Sequence, residues 1–173
     1  MTEEIAQRVR AAPARAGDTK IVAIDGPSGS GKTTLAGRLP GPVMHMEDIY
    51  PGWDGLRDSI RRLVEWVLDP LAAGGRVGWR RYDWEHGRYA EWHDLPAPRT
   101  LVIEGVGAGA LAAAPYVSVL IWVDAPLWLR RHRALARDGE TYRPHWDRWA
   151  GQEREYFAGD RVRERADLVI GSG

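Results

Sequence analysis

Residues 20–25, Lys-Ile-Val-Ala-Ile-Asp, are a β-branched apolar run that opens directly onto Gly26-Pro27-Ser28-Gly29-Ser30-Gly31-Lys32-Thr33-Thr34. This junction constrains the chain more than any other stretch. It matches the pattern G-x-x-x-x-G-K-[S/T] in full, with strand character before it and helix character after it. Glycines let the backbone curl until successive N–H groups face inward as an anion nest, and the following helix adds the positive end of its dipole. In that geometry Lys32 reaches the β- and γ-phosphates of a nucleoside triphosphate, and the Thr33 hydroxyl ligates Mg²⁺. Residues Gly26 to Thr34 are therefore expected to hold ATP with its magnesium.

The rest of the chain repeats the alternation begun there. Residues 43–46, 100–103, 117–123 and 167–170 read as further short strands. Residues 31–39, 56–68, 126–137 and 145–157 read as helices, the second from apolar residues at Leu56, Ile60, Leu63, Val64 and Val67 and ending before Pro70. Apolar strands separated by helices predict an α/β fold, a three-layer sandwich with a mostly parallel five-stranded sheet. Ligands of such sheets bind beyond the carboxyl ends of the strands. The loop after Asp25, the acidic pair after Met46, and Glu104 after Ile103 all fall there. Residues 1–19 read as an N-terminal extension or helix. Residues 74–99, rich in glycine, arginine, tryptophan and proline, read as an inserted loop or hairpin on the acceptor side.

The 173 residues fit one domain, and 44% apolar content supplies a core. Formal net charge is zero, so no extended basic face for nucleic acid or anionic membrane is expected. The absence of cysteine excludes disulfides, zinc–thiolate sites and thiol catalysis. No stretch reads as a secretory signal or a membrane span, so a cytoplasmic protein is expected. Nine tryptophans accompany one phenylalanine, and Trp53, Trp79, Trp84 and Trp92 lie where a planar ligand could be held.

The run Asp25 to Thr34 resembles the loop of the uridine kinase branch of the P-loop nucleoside and nucleotide kinases, and similar loops occur in cytidylate kinases. Met46-Glu47-Asp48-Ile49-Tyr50-Pro51 resembles that branch's acidic segment, Tyr82-Asp83-Trp84 its nucleoside-binding element, and Val102-Ile103-Glu104-Gly105 its strand ending in Glu-Gly. Arg130, Arg131, Arg133 and Arg137-Asp138 are similar to its arginine lid, placed here at residues 130–145. The resemblance implies phosphoryl transfer from ATP to a uridine- or cytidine-like nucleoside. It departs in length, in the lid sequence after Gly139, and in the acidic segment, where Glu47 stands at the position of the usual catalytic aspartate.

Transfer to a hydroxyl needs a carboxylate to accept or orient its proton, and Glu47 and Asp48 are the two candidates. Glu104 is the candidate second magnesium ligand beside Thr33. Asp25 either supports the loop or contacts the acceptor. Tyr50, Tyr82, Asp83, Trp84 and His86 are candidate acceptor contacts by stacking and hydrogen bonding. Arg130, Arg133 and Arg137 share a helix face, and Arg133 and Arg137 are the expected lid residues. Trp146 and Trp149 read as packing residues, and His86 with His93 lack a third metal ligand. Two rival readings stand beside the nucleoside kinase. One is a cytidylate-type nucleoside monophosphate kinase, and the other is an ATPase or nucleotide switch with no small acceptor.

Overall fold

In β1 (Lys20–Asp25) successive side chains point to opposite faces of the sheet, and every residue after Lys20 is buried. A strand buried on both faces has to be covered on both, and two separate apolar clusters do this. Ile21 and Ala23 of β1 join one cluster with Met44, Leu101, Ile103 and Trp122. Val22 and Ile24 join the other with Val102, Ile121 and Val123. The computed structural model describes residues 2–171; Met1, Ser172 and Gly173 of the expected domain lie outside them.

β2 (Val43–His45), β5 (Thr100–Glu104), β1, β6 (Val117–Asp124) and β7 (Leu168–Gly171) form the sheet in the order β2-β5-β1-β6-β7. All four pairings are parallel, as the near-continuous apolar strands predict. One face is covered by α1 (Thr2–Ala11) through Ile5 and Val9 and by α2 (Lys32–Ala36) through Leu35 and Ala36. The other is covered by α3 (Leu56–Leu63) and by α6 (Trp146–Asp160), whose Trp149 and Tyr156 are buried. The register sets Glu104 between Ile24 and His45, so three strands end side by side.

Several elements differ from the sequence expectation. The helix after the glycine loop is shorter, five residues, because Gly37 and Pro40 follow. Helix α3 does not stop before Pro70. It passes through a π-helical turn (Val64–Leu68) into α4 (Asp69–Ala72), where Pro70 occupies the first turn. The wider turn shifts the hydrogen-bond register, and a first-turn proline needs no N–H acceptor. Helix α5 (Leu127–Tyr142) runs past residue 137, broken at Gly139 with φ 54° and ψ −133°, a backbone that only glycine adopts at low cost. Residues 74–99 contain an antiparallel hairpin, β3 (Val77–Asp83) with β4 (Arg88–Leu95), seated on the sheet side by buried Val77 and Trp79. Residues 162–165 form the short helix α7 (Val162–Arg165) before β7. Among the described residues no helix is long and apolar enough to cross a membrane.

Candidate active site

The glycine loop turns sharply as it leaves β1. Gly26 has φ 138°, and a Cβ there would lie 2.0 Å from the Val123 carbonyl oxygen; Gly29 has φ 78°, and its Cβ would lie 2.2 Å from the Arg130 carbonyl oxygen. Both contacts are with backbone, which cannot swing aside, so these positions demand glycine. The second contact also shows that helix α5 packs directly on the loop. Inside the loop the Ser30 N–H donates to the Pro27 carbonyl at 3.2 Å, and Lys32 Nζ donates to the same oxygen at 3.0 Å. Lys32 is 8% exposed. Burial pulls its pKa below the ordinary lysine value, while the negative charges of Glu104, Glu153 and Asp25 oppose that shift. The first N–H groups of α2 have no intrahelical acceptor, as at any helix start.

Asp25 lies beneath the loop at 0% exposure and does not line the cavity. Its Oδ1 accepts the Gly26 N–H at 2.7 Å. Its Oδ2 accepts the Tyr156 hydroxyl at 2.7 Å and the Gly109 and Gly107 N–H groups at 2.8 and 3.2 Å. Its oxygens are thus turned to the start of the loop, to Tyr156 and to residues 107–109, away from the cavity. Burial raises the Asp25 pKa to about 6, although the Tyr156, Gly109 and Gly26 donors and Lys32 act to lower it. A raised carboxyl pKa means that the folded state binds the extra proton, so stability from this group falls as pH rises from about 4 to about 6. A displacement of about two pH units corresponds to about 3 kcal/mol. Asp25→Asn leaves one donor facing an amide NH₂ and is expected to lower stability by about 1–3 kcal/mol at pH 4. Denaturant unfolding of both proteins from pH 4 to 6.5 checks this: the advantage of the native protein should shrink as pH rises.

Across the loop, Glu104 Oε1 accepts the Thr33 hydroxyl at 3.0 Å and meets His45 Nδ1 at 2.6 Å. Burial at 5% exposure opposes ionisation of Glu104, but His45, Lys32 and Thr33 outweigh it and hold the carboxyl below its ordinary range. The same contact raises the pKa of His45. An ionised carboxylate beside a hydroxyl suits a hard oxygen-seeking cation such as Mg²⁺, which takes one or two carboxylates and completes its shell with phosphates and water. His45, the last residue of β2, is not among the sequence candidates. Its signal was its place at the end of β2, the rule that had selected Glu104.

A cavity of about 650 Å³ opens over these groups. Its floor is the loop residues Ser28, Gly29, Gly31, Lys32, Thr33 and Thr34 together with Glu104. Glu47 lines it as well; Asp48 does not. Both belong to a 3₁₀ turn (Met46–Ile49), in which residues three apart point the same way. Buried Met46 and Ile49 fix that turn, and the two carboxylates between them fan apart. Glu47 is solvent-accessible through the open cavity, yet desolvation by the surrounding wall raises its pKa, with Arg137 acting against it. Tyr50 lines the cavity with its hydroxyl already donated to the Val106 carbonyl at 2.7 Å.

Arg133 and Arg137 of α5 face the cavity, as their shared helix face implies. Arg137 also holds Asp138 at 2.7 Å. Arg130 instead donates to the Ala125 carbonyl, and Arg143 pairs with Glu140.

Four hairpin residues were expected at the acceptor side; the structure brings only Trp84 to the cavity. Asp83 is consumed by the hairpin turn, accepting the N–H groups of Glu85 and His86 and meeting the His86 ring at 3.0 Å. Tyr82 packs edge-on against Trp84 and Tyr89 behind the wall. In their place stand Trp53, Tyr142 and Trp149. Trp53 lies 4.9 Å from Trp84 and stacks at 5.2 Å on Tyr142. Trp149 is a packing residue, 3% exposed, but its Nε1–H also donates to Ser28 Oγ at 3.0 Å. Trp149, Glu153 and Tyr156, spaced as one helix face, all bond residues at or beside the loop.

No known protein-family model matches the chain, and neither does any curated protein. Solved structures do match. One, from Bacillus stearothermophilus and described as a possible uridine kinase, is 22% identical with a TM-score of 0.61, covering 96% of this chain and 99% of its own. A second, from Silicibacter sp. TM1040 and provisionally described as a fructose transport system kinase, is 20% identical with a TM-score of 0.53, covering 97% and 96%. Both share this chain's α/β fold, a parallel five-stranded sheet flanked by helices. At these identities the likeness establishes architecture alone.

Proposed function

We propose that this chain transfers the γ-phosphoryl group of ATP to a hydroxyl of a small nucleoside-like acceptor. The observation that carries the reading is that the loop with Lys32, the Glu47 carboxylate and the Arg133 and Arg137 side chains all line one cavity. A nucleoside monophosphate kinase needs no carboxylate base, since its acceptor is already anionic.

In this reading the loop amides and Lys32 hold the triphosphate tail, and Lys32 offsets charge on the β- and γ-phosphates. Thr33 and Glu104 would hold Mg²⁺, which when bound neutralises phosphate charge. Glu47 accepts or orients the proton of the acceptor hydroxyl as its oxygen bonds to the γ-phosphorus, and the bond to the β-phosphate oxygen breaks to release ADP. Arg133 and Arg137 face the charge that spreads over the equatorial oxygens. Trp53, Trp84 and Tyr142 supply faces for a ring or sugar.

A panel of nucleosides, nucleoside monophosphates and small sugars with ATP and Mg²⁺, scored by ADP release, tests the assignment. Release driven by uridine or cytidine and not by their monophosphates is the expected result. The reverse pattern would move the chain to the monophosphate kinases, release with a sugar alone would replace the nucleoside, and release independent of any acceptor would leave an ATPase.

A further inference from the structure

The mechanism above makes no use of Glu153, a carboxylate on α6 that is 4% exposed and outside the cavity lining. A buried carboxylate is costly unless it is bonded, and this one is bonded to the loop. Its Oε1 accepts both the Ser28 N–H at 2.8 Å and the Ser28 hydroxyl at 2.6 Å. One turn earlier on α6, Trp149 donates to the same Ser28 oxygen; about one turn later, Tyr156 donates to Asp25. The helix thus grips the chain at residues 25 and 28, on both sides of Gly26-Pro27. Between those grips lies the Pro27 carbonyl that holds Lys32 Nζ at 3.0 Å, and immediately after them comes Gly29 at φ 78°.

Resting on the reading of the loop as a triphosphate site, we propose that Glu153 is a positioning residue for that site. Through Ser28 it fixes the bend that presents the loop amides, and through the Pro27 carbonyl it fixes where the Lys32 ammonium sits. It touches neither phosphate nor acceptor. Helix α5, which carries Arg133 and Arg137, is connected to α6 through the break at Gly139 and the 3₁₀ turn at residues 143–145.

Charge and geometry predict opposite signs for Glu153→Gln, which makes the variant informative. Removing a negative charge near an anion site should tighten triphosphate binding if electrostatics alone mattered. Losing the charge-assisted bonds that order the loop should weaken it, by about tenfold or more. Calorimetric titration of full-length wild type and Glu153→Gln with ATP and Mg²⁺ decides between them, with thermal unfolding measured in parallel. Weaker binding, with the KM for ATP rising more than kcat falls, is expected. Tighter or unchanged affinity overturns the proposal, including the case in which only the melting temperature drops. Should Glu153→Gln fail to fold, Ser28→Ala serves, since it keeps the N–H bond to Glu153 and removes the hydroxyl's bonds to Glu153 and Trp149. It should weaken binding by a smaller factor, and unchanged affinity there overturns the proposal as well. Wild type that binds no triphosphate would instead defeat the reading of the loop itself, and the Glu153 proposal with it.

Discussion

Lys32→Met is expected to lower kcat/KM for ATP-dependent transfer by on the order of a thousandfold, at the upper end of what one preorganised donor contributes. The side chain is buried and its ammonium is the one lysine charge in the cavity floor, already aimed by the Pro27 carbonyl. Methionine keeps the volume and removes the charge, so the loss cannot be assigned to a hole. The structural consequence has two opposed parts. Burying an ammonium is unfavourable, which methionine relieves. Glu104 and Asp25 then lose a counter-charge that favours their ionised forms. The net effect on unfolding is therefore expected to be small beside the kinetic effect. A melting temperature near that of wild type with activity at background separates loss of chemistry from loss of fold.

Glu47→Gln is expected to lower kcat by about 10²- to 10⁴-fold, the range for removal of a general base. ATP affinity should be nearly unchanged, because Glu47 lines the same cavity but is not part of the loop. Asp48→Asn should have little effect, since its side chain leaves the 3₁₀ turn in another direction. The sign with pH follows from the role. A base works deprotonated, so activity should fall as pH drops through the pKa of Glu47, which lies above that of an ordinary glutamate. That acid limb should vanish in Glu47→Gln. A rate profile of both variants against pH, at saturating ATP, checks the pair. Equal loss in Asp48→Asn would show that the wall carboxylate had been misassigned.

How much of this was legible in the sequence depends on the range of the interaction concerned. The glycine loop is a local object: strand, turn and helix are adjacent, and the positive φ values at Gly26, Gly29 and Gly31 are written in the glycines themselves. The five strands were legible because a parallel strand is apolar along its whole length. Arg133 and Arg137 followed from helical spacing, and the structure sets both on the cavity. The acceptor side was less legible. Asp83 looked available in sequence, but a carboxylate at a hairpin turn is claimed by the two N–H groups that follow it. Glu153 was missed because a lone glutamate in a helix normally faces water. The hint was its place one turn from Trp149 and near Tyr156, in a stripe that otherwise reads as core. The π turn at 64–68 left no sequence signal beyond the helix running on into Pro70.

The claim beneath the rest is that backbone amides from Gly26 to Thr34, with Lys32, close around a triphosphate. Isothermal titration of the wild-type chain with ATP, with and without Mg²⁺, beside Lys32→Met, measures this most directly. Saturable binding that strengthens with Mg²⁺ and is lost in Lys32→Met is the predicted result. No magnesium-dependent affinity for ATP in wild type, or equal affinity in the two proteins, would contradict it.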